Sequence, residues 1–269
     1  MEFVDTHCHV HELNQPVTPT HDKWFSDKQT RTVESVLQTA KQAGVTTCLA
    51  VGTTLKDSEL AISFAAEHPG AVWASVGIHP HEAKDHLSQE TKERFEALAT
   101  QTSVVAVGEC GLDYFYHHSP KEQQEEILRF QIELALQRGL PMSFHVRGAF
   151  EDFWPIFESY KGVRGVLHSF TDSHENMERA LHHGLYIGVN GIATFTQDQT
   201  QLAMYKAIPD QALLLETDAP YLTPKPFRGK VCEPKHVVLT AEFMAALRGS
   251  SLEEIAKITT ANAQKLFNL

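Results

Sequence analysis

Two histidines separated by a single residue, His7 and His9, stand near the start of the chain, just after Asp5. In an extended segment, residues two apart point to the same side, so both imidazoles can reach one ion. Much further along come Glu109, His145, His168 and Asp218, with His79 as another imidazole in a strand-like context. Singly, each has an ordinary explanation: an acid commonly caps a helix or pairs with a base, and a lone histidine commonly makes a loop hydrogen bond. Sixteen histidines also produce chance pairs, as His117-His118 and His182-His183 show. Taken together, these imidazoles and carboxylates are divalent-metal ligand types, and burying them in one place without a cation would be costly. A metal held with open coordination positions activates water, so the expected chemistry is hydrolysis.

Such distant residues can meet only if the fold brings them together. The hydrophobic pattern switches repeatedly between short β-rich runs and longer helical periods, the mark of βα units and a parallel sheet. Eight runs begin near Phe3-Val4, Val45 to Val51, Val72 to Ile78, Val104 to Val107, Met142 to Phe144, Gly165 to Leu167, Leu185 to Val189 and Leu213 to Leu215. Eight is the number that closes a (β/α)8 TIM barrel, whose functional groups project from the C-terminal ends of its strands. Those ends carry the residues in question: His7 and His9 after run one, His79 after three, Glu109 after four, His145 in five, His168 after six and Asp218 after eight.

Between the runs lie helix signals. Ser119 can cap, Pro120 suits a first helical position and Glu122 completes a capping box, with Ile127, Phe130 and Leu134 marking a buried face and Gly139-Leu140-Pro141 a stop. Earlier, Val33, Val36, Leu37 and Ala40 repeat with helical period and Gly44 closes that helix. The polar stretch from His11 to Gln29, with Pro16 and Pro19, breaks the rhythm and reads as a long loop at the active-site face.

Length and composition agree with an α/β barrel of one domain, residues 1–269: 42% hydrophobic and 21% charged residues support a large core, and no linker or repeat interrupts them. The net charge of −11, from 23 Lys+Arg against 34 Asp+Glu, opposes a broad electrostatic embrace of DNA, so a nucleic-acid substrate would bind locally. Bound cations would reverse the sign within the site itself. The N-terminus has no basic region followed by an apolar stretch, and no run approaches a membrane span. Four cysteines without a C-x-x-C pair, in a chain of this size, point to a reducing cytoplasm. A monomer is expected.

The motifs around these residues resemble the TatD-type DNases of the amidohydrolase superfamily nearly end to end. The resemblance rests on Phe3-Val4-Asp5-Thr6-His7-Cys8-His9, Gly77-Ile78-His79-Pro80, Gly108-Glu109-Cys110-Gly111-Leu112-Asp113 and Pro141 to Arg147. It continues through His168-Ser169-Phe170, Glu216-Thr217-Asp218-Ala219-Pro220-Tyr221-Leu222, Arg228-Gly229-Lys230, Glu233-Pro234 and the closing Thr260, Asn262, Leu266 and Phe267. It implies that His7, His9, Glu109 and Asp218 bind one divalent ion and Glu109, His145 and His168 a second, with Glu109 bridging. Mixed imidazole and carboxylate ligands suit Zn²⁺ or Mn²⁺ better than Mg²⁺, whereas the resemblance implies Mg²⁺ or Mn²⁺, so the ion is open among the three. Three departures stand out: Val231-Cys232 replaces a basic residue and Asn, Thr171-Asp172 replaces a segment where Gly is common, and the insertion after His9 is long.

The expected reaction is exonuclease-type hydrolysis of a phosphodiester, in DNA or a similar substrate, by water activated at the metals. Asp218 would orient that water and take its proton, Glu109 would bridge the ions, and His79, Arg147 and Arg228 would hold the substrate phosphate. Two other readings compete. The same metals could serve hydrolysis of another ester, a lactone or an amide, because fold does not fix substrate. A non-catalytic binding protein that keeps metals for structure is the second, and the open coordination of the expected site argues against it.

Overall fold

The computed structural model describes residues 1–15 and 18–269, so Pro16, one of the two prolines read as loop markers, lies outside the described residues. The elements run β1 (Phe3–Cys8), α1 (Pro19–Trp24), α2 (Val33–Gln42), β2 (Val45–Val51), α3 (Leu55–Glu67), β3 (Val72–Val76), α4 (Gln89–Leu98) and β4 (Val104–Asp113). They continue with α5 (Lys121–Arg138), β5 (Met142–Arg147), α6 (Phe150–Glu158), β6 (Gly165–Leu167), α7 (His174–His182), β7 (Tyr186–Val189), α8 (Gln199–Ala207), β8 (Leu213–Leu215), α9 (Val237–Arg248) and α10 (Leu252–Phe267). The strands form one eight-stranded sheet in sequential order, β1 to β8, which with a helix between successive strands is the expected (β/α)8 barrel.

Strands of such a sheet are covered on both faces and therefore read as continuous apolar runs rather than alternating ones. Every residue of β1, β4 and β8 is buried accordingly. The helices follow their periodicity. In α2, Val33, Val36 and Ala40 are buried, and Thr32 and Ser35 form a reciprocal capping box at its start. In α5, Ile127, Leu128, Ile132, Leu134 and Ala135 face inward, and Gly139 ends the helix in the left-handed conformation at φ 66°.

The chain divides into two compact units, Met1–Ala50 with Ser169–Lys265, and Val51–His168 with Leu266–Leu269. In the first, β1 and β2 pair in parallel and β8 returns beside β1, where Cys8 and Ala219 form a parallel bridge. In the second, β3, β4, β5 and β6 pair in parallel.

Two local expectations are corrected. The stretch after His9 is not one long loop: Val10–Asn14 forms a 3-10 turn, and Pro19, read as a breaker, opens α1 with Thr18 as its cap. Proline fits there because the first helical turn has no use for its missing N–H. Ser119 does not cap α5, which starts at Lys121 with no side-chain cap bond. Its hydroxyl instead donates to the His81 carbonyl at 2.7 Å and accepts the Lys84 N–H at 3.1 Å.

Candidate metal centre

In the first unit the donors sit on adjoining backbone. The Asp218 N–H donates to the His7 carbonyl at 2.8 Å and the His9 N–H to the Ala219 carbonyl at 2.7 Å, fixing β1 against the segment beyond β8. Buried Asp5 reinforces this join, accepting the Thr217 N–H at 2.9 Å, the Thr217 hydroxyl at 2.6 Å and the His7 N–H at 3.3 Å. Burial pushes the Asp5 carboxyl up to about 8 despite those bonds, so it is largely uncharged at neutral pH. Asp218 itself adopts φ 60°, a left-handed conformation that an acid tolerates better than most residues but that still costs energy. From that backbone its Oδ1 lies 3.7 Å from His7 Nε2 and 3.4 Å from His9 Nε2. The stretch after His9 packs beside this cluster: Trp24 Nε1 donates to the His9 carbonyl at 3.1 Å and Thr20 meets the Tyr221 hydroxyl.

In the second unit the donors come from four successive strands or the residues just beyond them. Glu109 lies within β4, which continues to Asp113 rather than ending at Glu109, and His145 lies opposite Gly111 in β5. Gly111 is required there: with φ 146°, a Cβ would run into the His145 carbonyl oxygen. Glu109 Oε1 is 2.8 Å from His145 Nδ1, 3.5 Å from His79 Nε2 and 3.9 Å from His168 Nε2. The far side of His145 is also occupied, with Nε2 3.0 Å from Asp113 Oδ2, and the same oxygen is 3.0 Å from His81 Nε2.

Asp113 is therefore the hub of the second unit. It is held from behind by Gln124, which accepts the Asp113 N–H at 2.8 Å and donates to the Asp113 and Ser119 carbonyls. Burial raises the Asp113 carboxyl, but hydrogen bonds from His145, His81 and the Tyr116 N–H overcome it and hold the group well below the usual carboxylate range. Burial likewise disfavours a charged His145, and its bonds to Asp113 and Glu109 prevail, carrying its pKa up to about 9. His79 lacks such help: burial pushes it well below its ordinary value, and it is neutral.

These arrangements fit divalent ions. His7, His9 and Asp218 offer one ligand atom each within 4.8 Å of one another, as do His79, Glu109 and His145. Ligands sharing an ion at bond lengths of roughly 2.0–2.1 Å stand roughly 3.0–3.5 Å apart, close to the 3.4 to 3.7 Å spacings around Asp218 and wider than a hydrogen bond. His145 pinned by Asp113 on one nitrogen and facing Glu109 with the other has the carboxylate–imidazole arrangement that fixes the tautomer of a metal ligand.

Each unit thus gathers three of the six expected ligands: His7, His9 and Asp218 in the first, Glu109, His145 and His168 in the second. His79, expected at the substrate phosphate, stands beside Glu109 as a potential ligand. Arg147 is exposed and lies over the Phe115 ring at 4.0 Å, while exposed Arg228 lies over Phe195 at 5.2 Å, so both are available to solvent-borne anions. Val231 and Cys232, which replace a basic residue and Asn, are buried, and this short segment is part of the core. Sequence reasoning gave no role to Asp113, His81 or Asp5. A usable signal existed for Asp113, because Glu109, Gly111 and Asp113 alternate along one face of a strand.

Residues 4–268 match the family model described as TatD related DNase. The metal-dependent hydrolase YabD of Bacillus subtilis is 37% identical over 252 residues, 93% of this chain and 98% of its own length. The 3'-5' ssDNA/RNA exonuclease TatD of Erwinia tasmaniensis is 37% identical over 246 residues, 88% of this chain and 93% of its own. Among solved structures, the TatD homologue YjjV of Escherichia coli superposes with a TM-score of 0.85 at 29% identity, covering 99% of this chain and 98% of that one.

Proposed function

The chain belongs to the TatD-related DNases, a family of metal-dependent hydrolases, and we propose that it is an exonuclease that removes nucleotides from single-stranded nucleic acid. His7, His9, Glu109 and Asp218 hold one divalent ion and Glu109, His145 and His168 a second, drawn from Mg²⁺, Mn²⁺ and Zn²⁺, on a barrel that acts as one domain. The observation that carries this reading is the spacing of Asp218 from His7 and His9, at 3.7 and 3.4 Å, which suits a shared cation better than hydrogen bonding.

Divalent ions bound there supply a nucleophilic water near neutral pH and offset charge on the phosphoryl oxygens. The chain's own groups do the rest. Asp218, with a side chain 16% exposed, takes the proton of the attacking water at the carboxylate oxygen not turned toward His7 and His9, and orients that water through its fixed backbone. His79, neutral through burial, donates a hydrogen bond to the substrate phosphate rather than a full charge. Arg147 and Arg228 supply planar forks of donors to the phosphates beyond.

We assign the protein to the reducing cytoplasm, a reading supported by four buried cysteines that are all free, and take it to act as a monomer. Among the described residues no helix is long and apolar enough to cross a membrane.

The test uses metal-free protein restored with Mn²⁺, Mg²⁺ or Zn²⁺ and an end-labelled single-stranded oligodeoxynucleotide. Stepwise shortening from one end is expected, and Asp218→Asn should slow it about 10³-fold. Absence of cleavage with every ion, or equal rates for the two proteins, overturns the reading.

A further inference from the structure

The segment that follows β4 carries an unusual surface. Phe115 is 60% exposed and its neighbour Tyr116 43% exposed, so two large rings stand side by side in water. Exposed apolar area of this kind costs hydrophobic free energy unless a partner covers it in use. The rings are not on a loose tip. Asp113 Oδ1 accepts the N–H of Phe115 at 2.9 Å and of Tyr116 at 3.0 Å, while the Tyr114 N–H donates to the Arg147 carbonyl at 3.0 Å. Phe115 and Tyr116 meet edge to face with centroids 4.8 Å apart. The Arg147 guanidinium lies 4.0 Å from the Phe115 ring centre and 5.0 Å from that of Tyr116.

The backbone under both rings is thus held by the carboxylate that also fixes His145, and the Arg147 guanidinium lies over the rings. The Tyr116 ring is 5.5 Å from the His81 ring, and His81 shares Asp113 Oδ2 with His145. A base stacked on either ring therefore lies close to a candidate metal ligand, since His81 and Asp113 link Tyr116 to His145.

We propose that Phe115, Tyr116 and Arg147 form a stacking platform for the unpaired bases of the nucleic-acid substrate, an inference that rests on the nuclease reading above and makes the platform the source of its single-strand selectivity. Every base has a π face, so stacking is tolerant of sequence, and it requires a base that is not already stacked and paired in a duplex. The Arg147 fork takes a backbone phosphate of the stacked segment. Local contacts of this kind matter more here than in a basic nuclease, because a net charge of −11 supplies no general attraction for phosphates.

The experiment measures binding, by fluorescence anisotropy, of a labelled single-stranded oligodeoxynucleotide and of an abasic strand of equal length to the Mn²⁺-loaded Asp218→Asn protein. Adding Phe115→Leu and Tyr116→Leu together should raise Kd for the base-containing strand about tenfold or more, since each stacked base contributes on the order of 1–3 kcal/mol. The abasic strand should bind both proteins alike. Leucine preserves apolar bulk at exposed positions, so Tm should hold, and Phe115→Trp, with a larger π face, should bind the base-containing strand at least as tightly as the parent. Unchanged Kd in the double leucine variant, or equal losses for the two strands, overturns the platform. If wild-type protein cleaves oligonucleotides while the leucine variant binds normally, the platform alone falls. If the base-dependent binding holds while no phosphodiester is cleaved, the nuclease reading falls and the platform stands.

Discussion

In the first unit, Asp218 stays 3.4 Å or more from His7 and His9, and what fixes the three is mostly backbone: the ladder between β1 and the segment after β8, closed by Asp5 on Thr217. In the second, His145 already touches Glu109 at 2.8 Å and Asp113 at 3.0 Å, and one side chain, Asp113, fixes it. The supporting acids differ in charge as well. Burial leaves Asp5 largely protonated at neutral pH, with a pKa of about 8, whereas its imidazole partners and a backbone N–H keep Asp113 ionised. A donor cluster can therefore be positioned either by strand pairing with a neutral acid as a staple or by a charged acid that orients an imidazole. The two constructions should fail differently.

The largest effect is expected at Glu109, the carboxylate that faces the imidazoles of the second unit. Under the proposed function Glu109→Gln removes a metal-binding carboxylate, and hydrolysis of an end-labelled oligonucleotide should fall by about 10³-fold or more. A fall below tenfold would break the assignment of Glu109.

Next come the two supporting acids. Asp113→Asn replaces an ionised acceptor, whose Oδ2 faces two imidazoles and whose Oδ1 takes two backbone N–H groups, with an amide whose single oxygen can serve only one of those two sides. Metal affinity of the second cluster should drop about 10- to 100-fold by equilibrium dialysis, with thermal stability largely kept. Asp5→Asn should have a far smaller effect, because the amide oxygen can keep the N–H bonds from Thr217 and His7, and a carboxyl that burial leaves largely protonated gives up no charge. Equal losses in the two variants would erase the distinction between the units.

A histidine outside the clusters sharpens the contrast further. Two acids raise the pKa of His145 in the absence of an ion, while His236 in the first unit is held neutral: burial, and Lys235 beside it, lower its pKa to about 4, and its Nδ1 accepts the Glu233 N–H at 3.0 Å. A depressed folded pKa contributes stability that is present above the unfolded value near 6.5 and lost as pH falls through about 4. That loss is on the order of 3 kcal/mol. His236→Asn keeps an acceptor without a titrating ring, so the decline in Tm between pH 6.5 and 4 should become shallower. An unchanged slope would mean that other groups carry the acid limb.

How far these features could be read in the sequence depended on whether they are local. The strands at Val45–Val51, Gly165–Leu167 and Leu213–Leu215 are where the apolar runs place them, because burial on both faces leaves a direct compositional mark. The apolar run at Val104 to Val107 puts Glu109 at the end of β4, whereas Gly108 and Gly111 let the strand run close to β5 as far as Asp113. The turn and helix within residues 10–24 were hidden behind prolines that suit helix starts as well as loops. Ser119 had the look of a cap, but a carbonyl 38 residues earlier takes its hydroxyl. Asp113 and His81 have meaning only through His145, and that relation spans 32 residues and two strand ends, beyond any pattern visible in one segment.

The most direct test of the central claim is a count of bound ions. Protein equilibrated with Mn²⁺ and freed of excess should carry two ions per chain by elemental mass spectrometry. His7→Ala with His9→Ala should lose the ion of the first unit, and His145→Ala with His168→Ala that of the second, leaving one ion in each variant. A wild-type chain that carries no ion, or paired variants that keep the full wild-type content, would contradict the assignment of these histidines as ligands.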